Sequence, residues 1–377
     1  ETGRAGFVMS SQASSAGGSE AAVRRKLVET GDVDVMIAIR SNFFYTRTVP
    51  CELWFLNRAK PERHRDKVLM LDARNVYRKV TRKICDFSPE QQQNLLAIVR
   101  LYRGETEGFL EIAFEFLWNV VEEGSWCFEW ESDDGESIRP LQAFVDAVAA
   151  LRGELAPLLK TLPKTGPHAG ELAVLGKEQK RFASDVERFG DRVDKAAEQW
   201  EGTPDTNAGL HKLVDRFTPL AGAGRDLAAQ ADQLCKRAAG LVETCEQQGG
   251  AKSGDTWNAG AVNRARRVAD EARGEAVEQL RKVDYFWRQA RWLTERFPDG
   301  KLRDVAGLVK LVDRAEIEAN DWSLTPGRYV GVAPEEEDAD FDFATAMREI
   351  HAELADLDAE ATVLAAKIRK NFEKLGI

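Results

Sequence analysis

The feature that most constrains this chain is a set of long, heptad-spaced apolar stripes in its second half. One stripe runs Leu172, Leu175, Phe182, Val186, Phe189, Val193, Ala196, Trp200. A second runs Leu210, Leu213, Phe217, Leu220, Leu227, Ala231, Leu234, Ala238, Leu241, Cys245. Apolar residues alternate three and four apart, interrupted at the seam only by Gln179 and Gly224, which is the spacing of helices that meet other helices. A third stripe runs from Val262 to Phe297, and residues 249–260 form a polar break before it. Helices of about 30 residues are about 45 Å long. A long-helix hairpin or bundle with coiled-coil character is therefore expected over residues 140–300.

The first segment follows a different rule. Residues 6–10 (GFVMS) are a short apolar run, and 11–18 a small-residue loop. From Ser19 a helical stripe of Ala22, Val23, Leu27 and Val28 leads to Gly31, a helix stop. Residues 33–39 (VDVMIAI) are nearly all apolar and β-branched-rich, as a strand covered on both faces requires. Two further apolar runs follow, 51–56 (CELWFL) and 68–71 (VLML). Strand, helix, strand and two more strands are the pattern of the second half of a doubly wound sheet. Ser88-Pro89-Glu90-Gln91 is a capping-box helix start, while 105–134 carries no clear period. The fold class read from this is α+β, mostly α: the C-terminal half of a Rossmann-like sheet followed by a long-helix bundle. The expected divisions are 1–86, the sheet; 87–139, a helical connector; 140–300, the long helices; 301–335, an irregular tail element; and 336–377, an amphipathic helix whose seam must meet a partner surface.

Composition narrows the function. No apolar run in the 377 residues approaches the roughly 20 needed to span a bilayer, so no membrane partner is expected. The five cysteines and four histidines are scattered without C-x-x-C spacing, so no metal site is expected and free thiols fit the cytoplasm. The net charge of −10 argues against a surface that coats nucleic acid generally. Between positions 58 and 83, however, ten basic residues face only Glu62, Asp66 and Asp72. That strip is either a solvated surface or a phosphate-contacting one. The first residue is Glu1, and the opening reads as a cut inside a longer chain.

One block carries a family resemblance. The string GFVMSSQASSAGGSEAAVRRKLVETGDVDVMIAIRSNFFYTRTVPCELWFLNRAK contains a Ser/Gly-rich loop and a helix with Val23, Arg24 and Leu27. It continues with an apolar strand, a turn with Asn42, Phe44, Tyr45 and Thr46, and a strand with Trp54, Phe55 and Leu56. It resembles the modification subunits of Type I restriction-modification systems, adenine-N6 DNA methyltransferases, just after the family's Asn-Pro-Pro-Phe loop. Arg40 departs from the family, which usually has proline there. Asn320-Asp321-Trp322-Ser323-Leu324 with Arg328-Tyr329-Val330, and the closing helix with His351, Glu353 and Leu354, resemble the family's tail.

The resemblance implies S-adenosylmethionine as methyl donor, bound by an upstream half. It also implies double-stranded DNA as substrate and assembly with a specificity subunit, which a restriction subunit can join. No Pro-Pro dipeptide and no G-x-G-x-x-G turn occurs in the sequence, so no catalytic or cofactor-binding residue is expected here, and the chain alone is expected to be inactive. Phe44 and Asn42 are the candidates for the target-base pocket, against the plainer roles of core aromatic and turn residue. Arg40, Arg47, Arg74, Arg78 and Lys79 are the candidate phosphate contacts. The competing function is a non-catalytic helical scaffold or adaptor with a small α/β cap.

Overall fold

The computed structural model describes residues 2–44, 48–81, 84–162, 165, 167–200, 206–248 and 257–333, with the single positions 347, 361, 362 and 364. Two compact units are present, 1–331 and 332–377. The expected terminal helix falls in the second and, apart from those single positions, lies outside the described residues. Among the described residues no helix is long and apolar enough to cross a membrane.

The chain opens with β1 (Arg4–Ser10), the short α1 (Ser11–Ser15), α2 (Ser19–Glu29), β2 (Val33–Ile39), β3 (Cys51–Asn57) and β4 (Lys67–Asp72). These strands join a five-stranded sheet whose order is β1-β3-β2-β4-β9, where β9 is Val309–Asp313. β3 is antiparallel to both β1 and β2, β2 is parallel to β4, and β9 is antiparallel to β4. β1, β2 and β4 therefore point the same way, and their carboxyl ends share one end of the sheet.

All seven residues of β2 are buried, as its unbroken apolar run requires. Val35, Ile37, Ile39, Leu69 and Leu71 pack on the helical side. Met36, Val68, Met70 and Trp54 pack on the other side, against Val28 and the tail residues Leu324, Tyr329 and Val330. Each such side chain taken out of water contributes roughly 1.5–3 kcal/mol.

Two local readings change. Val23 is 66% exposed, whereas Arg24, beside it on α2, is only 3% exposed. Arg24 is inward because its guanidinium donates to the carbonyls of Ala13 (2.9 Å), Ala16 (2.5 Å) and Trp322 (3.0 Å). Those bonds, with Trp54 Nε1 donating to Ser14 Oγ at 3.1 Å, hold α1 where the sequence pattern suggests only a loop. The second change is β9 with α9 (Arg314–Ala319), which lie inside the segment read as irregular.

A hairpin of β5 (Arg78–Thr81) and β6 (Ile84–Asp86) follows β4. Next come α3 (Pro89–Arg103) and α4 (Thr106–Trp126). The capping box forms at α3: Ser88 Oγ accepts from Gln91 N–H while Gln91 Oε1 accepts from Ser88 N–H. In α4, Phe109, Ala113, Phe116, Leu117 and Val120 are buried while Glu107, Glu111 and Glu115 face water, so most of the stretch 105–134 that lacks a clear period is a helix. After the small β7 (Trp130–Glu131) and β8 (Ser137–Ile138) come α5 (Pro140–Thr161), α6 (Pro167–Glu198), α7 (Asn207–Gln248) and α8 (Ala259–Arg296). The last three coincide with the heptad stripes. Phe182, Phe189, Phe217, Leu241 and Leu280 are all at most 2% exposed. α8 packs on α4, α5 and α7, and one contiguous apolar cluster joins this bundle to the sheet.

Candidate functional site

In an open sheet with parallel strands, ligands bind outside the carboxyl ends of those strands. Here that end collects most of the residues singled out from the sequence. Arg40 follows β2 directly, and its guanidinium stacks 4.4 Å from the ring centroid of Tyr77, in the loop after β4. Asn42 adopts φ 71°, a left-handed conformation that asparagine tolerates better than most side chains. Its carbonyl accepts from Cys85 N–H at 2.9 Å, which ties the turn after β2 to β6. Phe43 faces inward, its ring 4.7 Å from that of Phe87. Phe44 is 37% exposed. Of the two adjacent phenylalanines, it is Phe43 that packs against the core.

The basic candidates differ in how free they are. Arg74 lies back on Asp72, with Nε 2.8 Å from Oδ1 and Nη2 2.5 Å from Oδ2. That hydrogen bond raises the Arg74 pKa despite partial burial. Arg78 forms a two-pronged pair with Asp86 across the hairpin, at 2.9 and 2.7 Å, which lowers the Asp86 pKa. Lys79 is exposed on the same hairpin. Arg47 lies outside the described residues.

Beside this end is a cleft of about 340 Å³, lined by Ser11 and Ser15 of α1, Ala38 and Ile39 of β2, Pro50, Cys51 and Glu52 at the start of β3, Arg74, Thr325 and Arg328. Its apolar wall comes from the strands and its charge from the loops. Glu52, which the sequence reading left inside an apolar strand, is 1% exposed. The signal was available: strand alternation puts Glu52 on the same face as Trp54, two residues on, so a carboxylate faces inward. Burial pushes its pKa up to about 7, against the smaller opposing effects of the nearby Ser14 and Thr325 hydroxyls and of Arg74. Its Oε2 has no hydrogen-bond partner of good geometry among the described residues. A buried carboxyl oxygen left unpaired is costly unless it is neutralised or meets a donor.

The opposite end of the same strands is closed. Asp34, 3% exposed, sits where the register slips between Val33 and Val35. It accepts from Tyr102 Oη (3.0 Å) and Asn57 Nδ2 (3.2 Å). Burial and the Asp34 carboxylate hold the Tyr102 phenol protonated, well above its usual range. Lys60 donates to the carbonyls of Val33 and Lys67 at 2.5 and 2.6 Å, and burial lowers its pKa to about 8.

Comparison with known proteins bears on the sheet end of the chain. Residues 1–123 match the family described as N-6 DNA Methylase. The chain is similar to the Type I restriction enzyme MjaIX methylase subunit of Methanocaldococcus jannaschii, 32% identical over 118 residues, covering 29% of this chain and 21% of that protein. It is also similar to the Type I restriction enzyme HindI methylase subunit of Haemophilus influenzae, 44% identical over 73 residues, covering 19% of this chain and 16% of that protein. The matches thus span about a fifth of the length of these relatives. A crystal structure of the type I restriction-modification system methyltransferase subunit from Streptococcus thermophilus overlaps 25% of this chain and 19% of its own, at 20% identity and a TM-score of 0.23.

Proposed function

We propose that this chain, whose first 123 residues match the N-6 DNA Methylase family, is the later part of the modification subunit of a Type I restriction-modification system, an adenine-N6 DNA methyltransferase. The observation that carries this beyond the sequence match is β1. It is the outer strand of the sheet, all seven of its residues are exposed, and Phe7, Val8 and Met9 are 39%, 48% and 37% exposed. An unpaired strand edge bearing contiguous apolar side chains is a surface that another strand completes. On this reading the missing neighbours are the upstream strands of a Rossmann-like sheet, which bind S-adenosylmethionine and carry the Asn-Pro-Pro-Phe loop.

The roles then follow from position. Phe44, exposed in the turn after β2, stacks on an adenine drawn out of the duplex, since every base offers a π-face. Asn42 sets the direction of that turn. Arg40, Arg47, Arg74, Arg78 and Lys79 meet phosphates, Lys79 most readily because no ion pair holds it among the described residues. Arg74 and Arg78 must exchange Asp72 and Asp86 for phosphate oxygens. The long helices and the terminal segment serve the contact with the specificity subunit, and a restriction subunit joins the same cytoplasmic assembly.

The test is to express the chain with the coding sequence upstream of Glu1, together with its neighbouring specificity subunit, in a host without adenine methylation. N6-methyladenine in the host DNA by mass spectrometry is the expected result. Unmodified DNA from a folded, assembled complex would leave the helical scaffold as the better reading.

A further inference from the structure

The Glu52 cleft is not explained by an exposed aromatic turn or a basic strip. Its lining includes the Glu52 carboxyl, whose Oε2 is buried without a hydrogen-bond partner of good geometry though the Ser14 and Thr325 hydroxyls are near, and its walls include the apolar Ala38, Ile39, Pro50 and Cys51. At its mouth stands Arg328, exposed and without an ion pair among the described residues. Its volume of about 340 Å³ falls within the roughly 300–1,000 Å³ of small-ligand pockets. Flat apolar walls, a hydrogen-bonding floor and a cation at the rim suit a nucleobase with its phosphate. The two ends of the loop that carries Phe44, Ile39 and Pro50, both line this cleft.

We propose that Glu52 is a base-reading residue whose carboxyl pairs with the amidine edge of an adenine or cytosine nucleotide held in this cleft, with the phosphate on Arg328. The inference rests on the nucleic-acid reading of this end of the sheet and names a contact that reading lacks. A neutral carboxyl offers one O–H donor and one C=O acceptor side by side. That is the complement of the adenine N6/N1 edge and of the cytosine N4/N3 edge. An ionised carboxylate offers two acceptors instead and complements the guanine N1–H and N2–H edge. The groups around Glu52 are the Cys51 thiol beside it on β3, Arg24 from α2, the Ser14 and Thr325 hydroxyls, Asp72 and Arg74 from the end of β4, and Arg328 from the tail. Arg74 is already occupied by Asp72, so the cleft floor stays poor in compensating charge and the neutral carboxyl persists to near pH 7.

The base preference must then depend on pH, and this is the experiment. The 377-residue chain is titrated with dAMP, dCMP, dGMP and dTMP at pH 6 and pH 8 by saturation-transfer NMR, with inorganic phosphate as competitor. At pH 6, dAMP and dCMP are expected to bind about tenfold more tightly than dTMP, and at pH 8 the advantage passes to dGMP. Glu52→Gln, whose amide keeps one donor and one acceptor, retains dAMP and dCMP at both pH values. Glu52→Leu loses the discrimination. An oligothymidylate with one central adenine separates the sources: competition at lower concentration than dAMP means that the cleft takes its base from a strand, and otherwise it takes free nucleotide.

Equal binding of all four nucleotides, complete displacement by phosphate, or an unchanged pattern in Glu52→Leu each overturns the assignment. Absence of any nucleotide binding does the same, and leaves a buried water as the partner of Oε2. If DNA methylation by the complete subunit persists alongside such a result, only the Glu52 assignment falls. If nucleotides discriminate as expected but no methylation occurs, the cleft stands and the methyltransferase reading falls.

Discussion

Each end of the sheet holds a deeply buried carboxylate, Asp34 at one and Glu52 at the other, and treats it differently. At the amino end Asp34 is met by a phenol, an amide and, at 3.9 Å, the Arg103 guanidinium, and His64 stacks over Tyr102 at 4.2 Å. At the carboxyl end Glu52 is more deeply buried than Asp34, yet one of its oxygens has no partner. A polar group that is fully satisfied rigidifies a fold, whereas one left unsatisfied is either a defect or a place reserved for a ligand. The loops tell the same story: the left-handed Asn42, the exposed Phe44, Arg40, Arg74 and Arg78 gather at the unsatisfied end.

The largest expected effect breaks the closed end. Asp34→Ala strands the Tyr102 hydroxyl and the Asn57 amide in a buried setting and should cost about 3 kcal/mol in urea denaturation. A loss below about 1 kcal/mol would mean that the network is decorative. Comparable in size is the pH dependence at the open end. The folded Glu52 pKa, about 7, lies above that of the unfolded chain. Its contribution is therefore fully present below the unfolded value and is lost as pH rises through 7. That loss amounts to about 3 kcal/mol. Glu52→Gln should remove this slope, so the variant gains on the wild type between pH 5 and pH 8. Parallel stability curves would contradict it.

Two smaller effects concern function without fold. Phe44→Ala should cost no more than about 1 kcal/mol of stability and should lower methylation by the complete subunit about tenfold, in line with the loss of one base–aromatic stack. Unchanged turnover would make Phe44 an ordinary surface aromatic. The smallest effect is that of Lys79→Ala, which should leave stability intact and reduce the salt slope of DNA binding by about one. An unchanged slope removes that residue from the phosphate path.

How much of this was legible in the sequence depended on repetition. The heptad stripes of α6, α7 and α8 restate one period many times, and β2 is a seven-residue run with a single exception, so both could be read directly. α1, the β5–β6 hairpin and β9 are short, and partners far away in the chain hold two of them. α1 is held by Arg24 and Trp54, and β9 pairs with β4 from some 240 positions on. The turn with Asn42 and Phe44 was marked by the family resemblance, since its residue types alone suit a core aromatic as well as an exposed one. Glu52 was hidden because one carboxylate in CELWFL does little to an apolar average. What matters is the face it occupies, and that depends on register. Arg24 was named through the resemblance, but its inward direction was hidden for the same reason: a helical stripe is read from its apolar members, and the inward cation is justified only by carbonyls that the fold brings to it.

Hydrogen exchange tests the contrast between the two ends most directly. It would be measured on the 377-residue chain, or on the longer subunit that the proposed function calls for, with and without duplex DNA. Slowed exchange is predicted at residues 40–44 and 74–81, with residues 60–66 and 100–103 around the Asp34 network unchanged. Protection centred on the Asp34 end, or spread evenly over both, would contradict the assignment of the carboxyl end as the working face of the sheet.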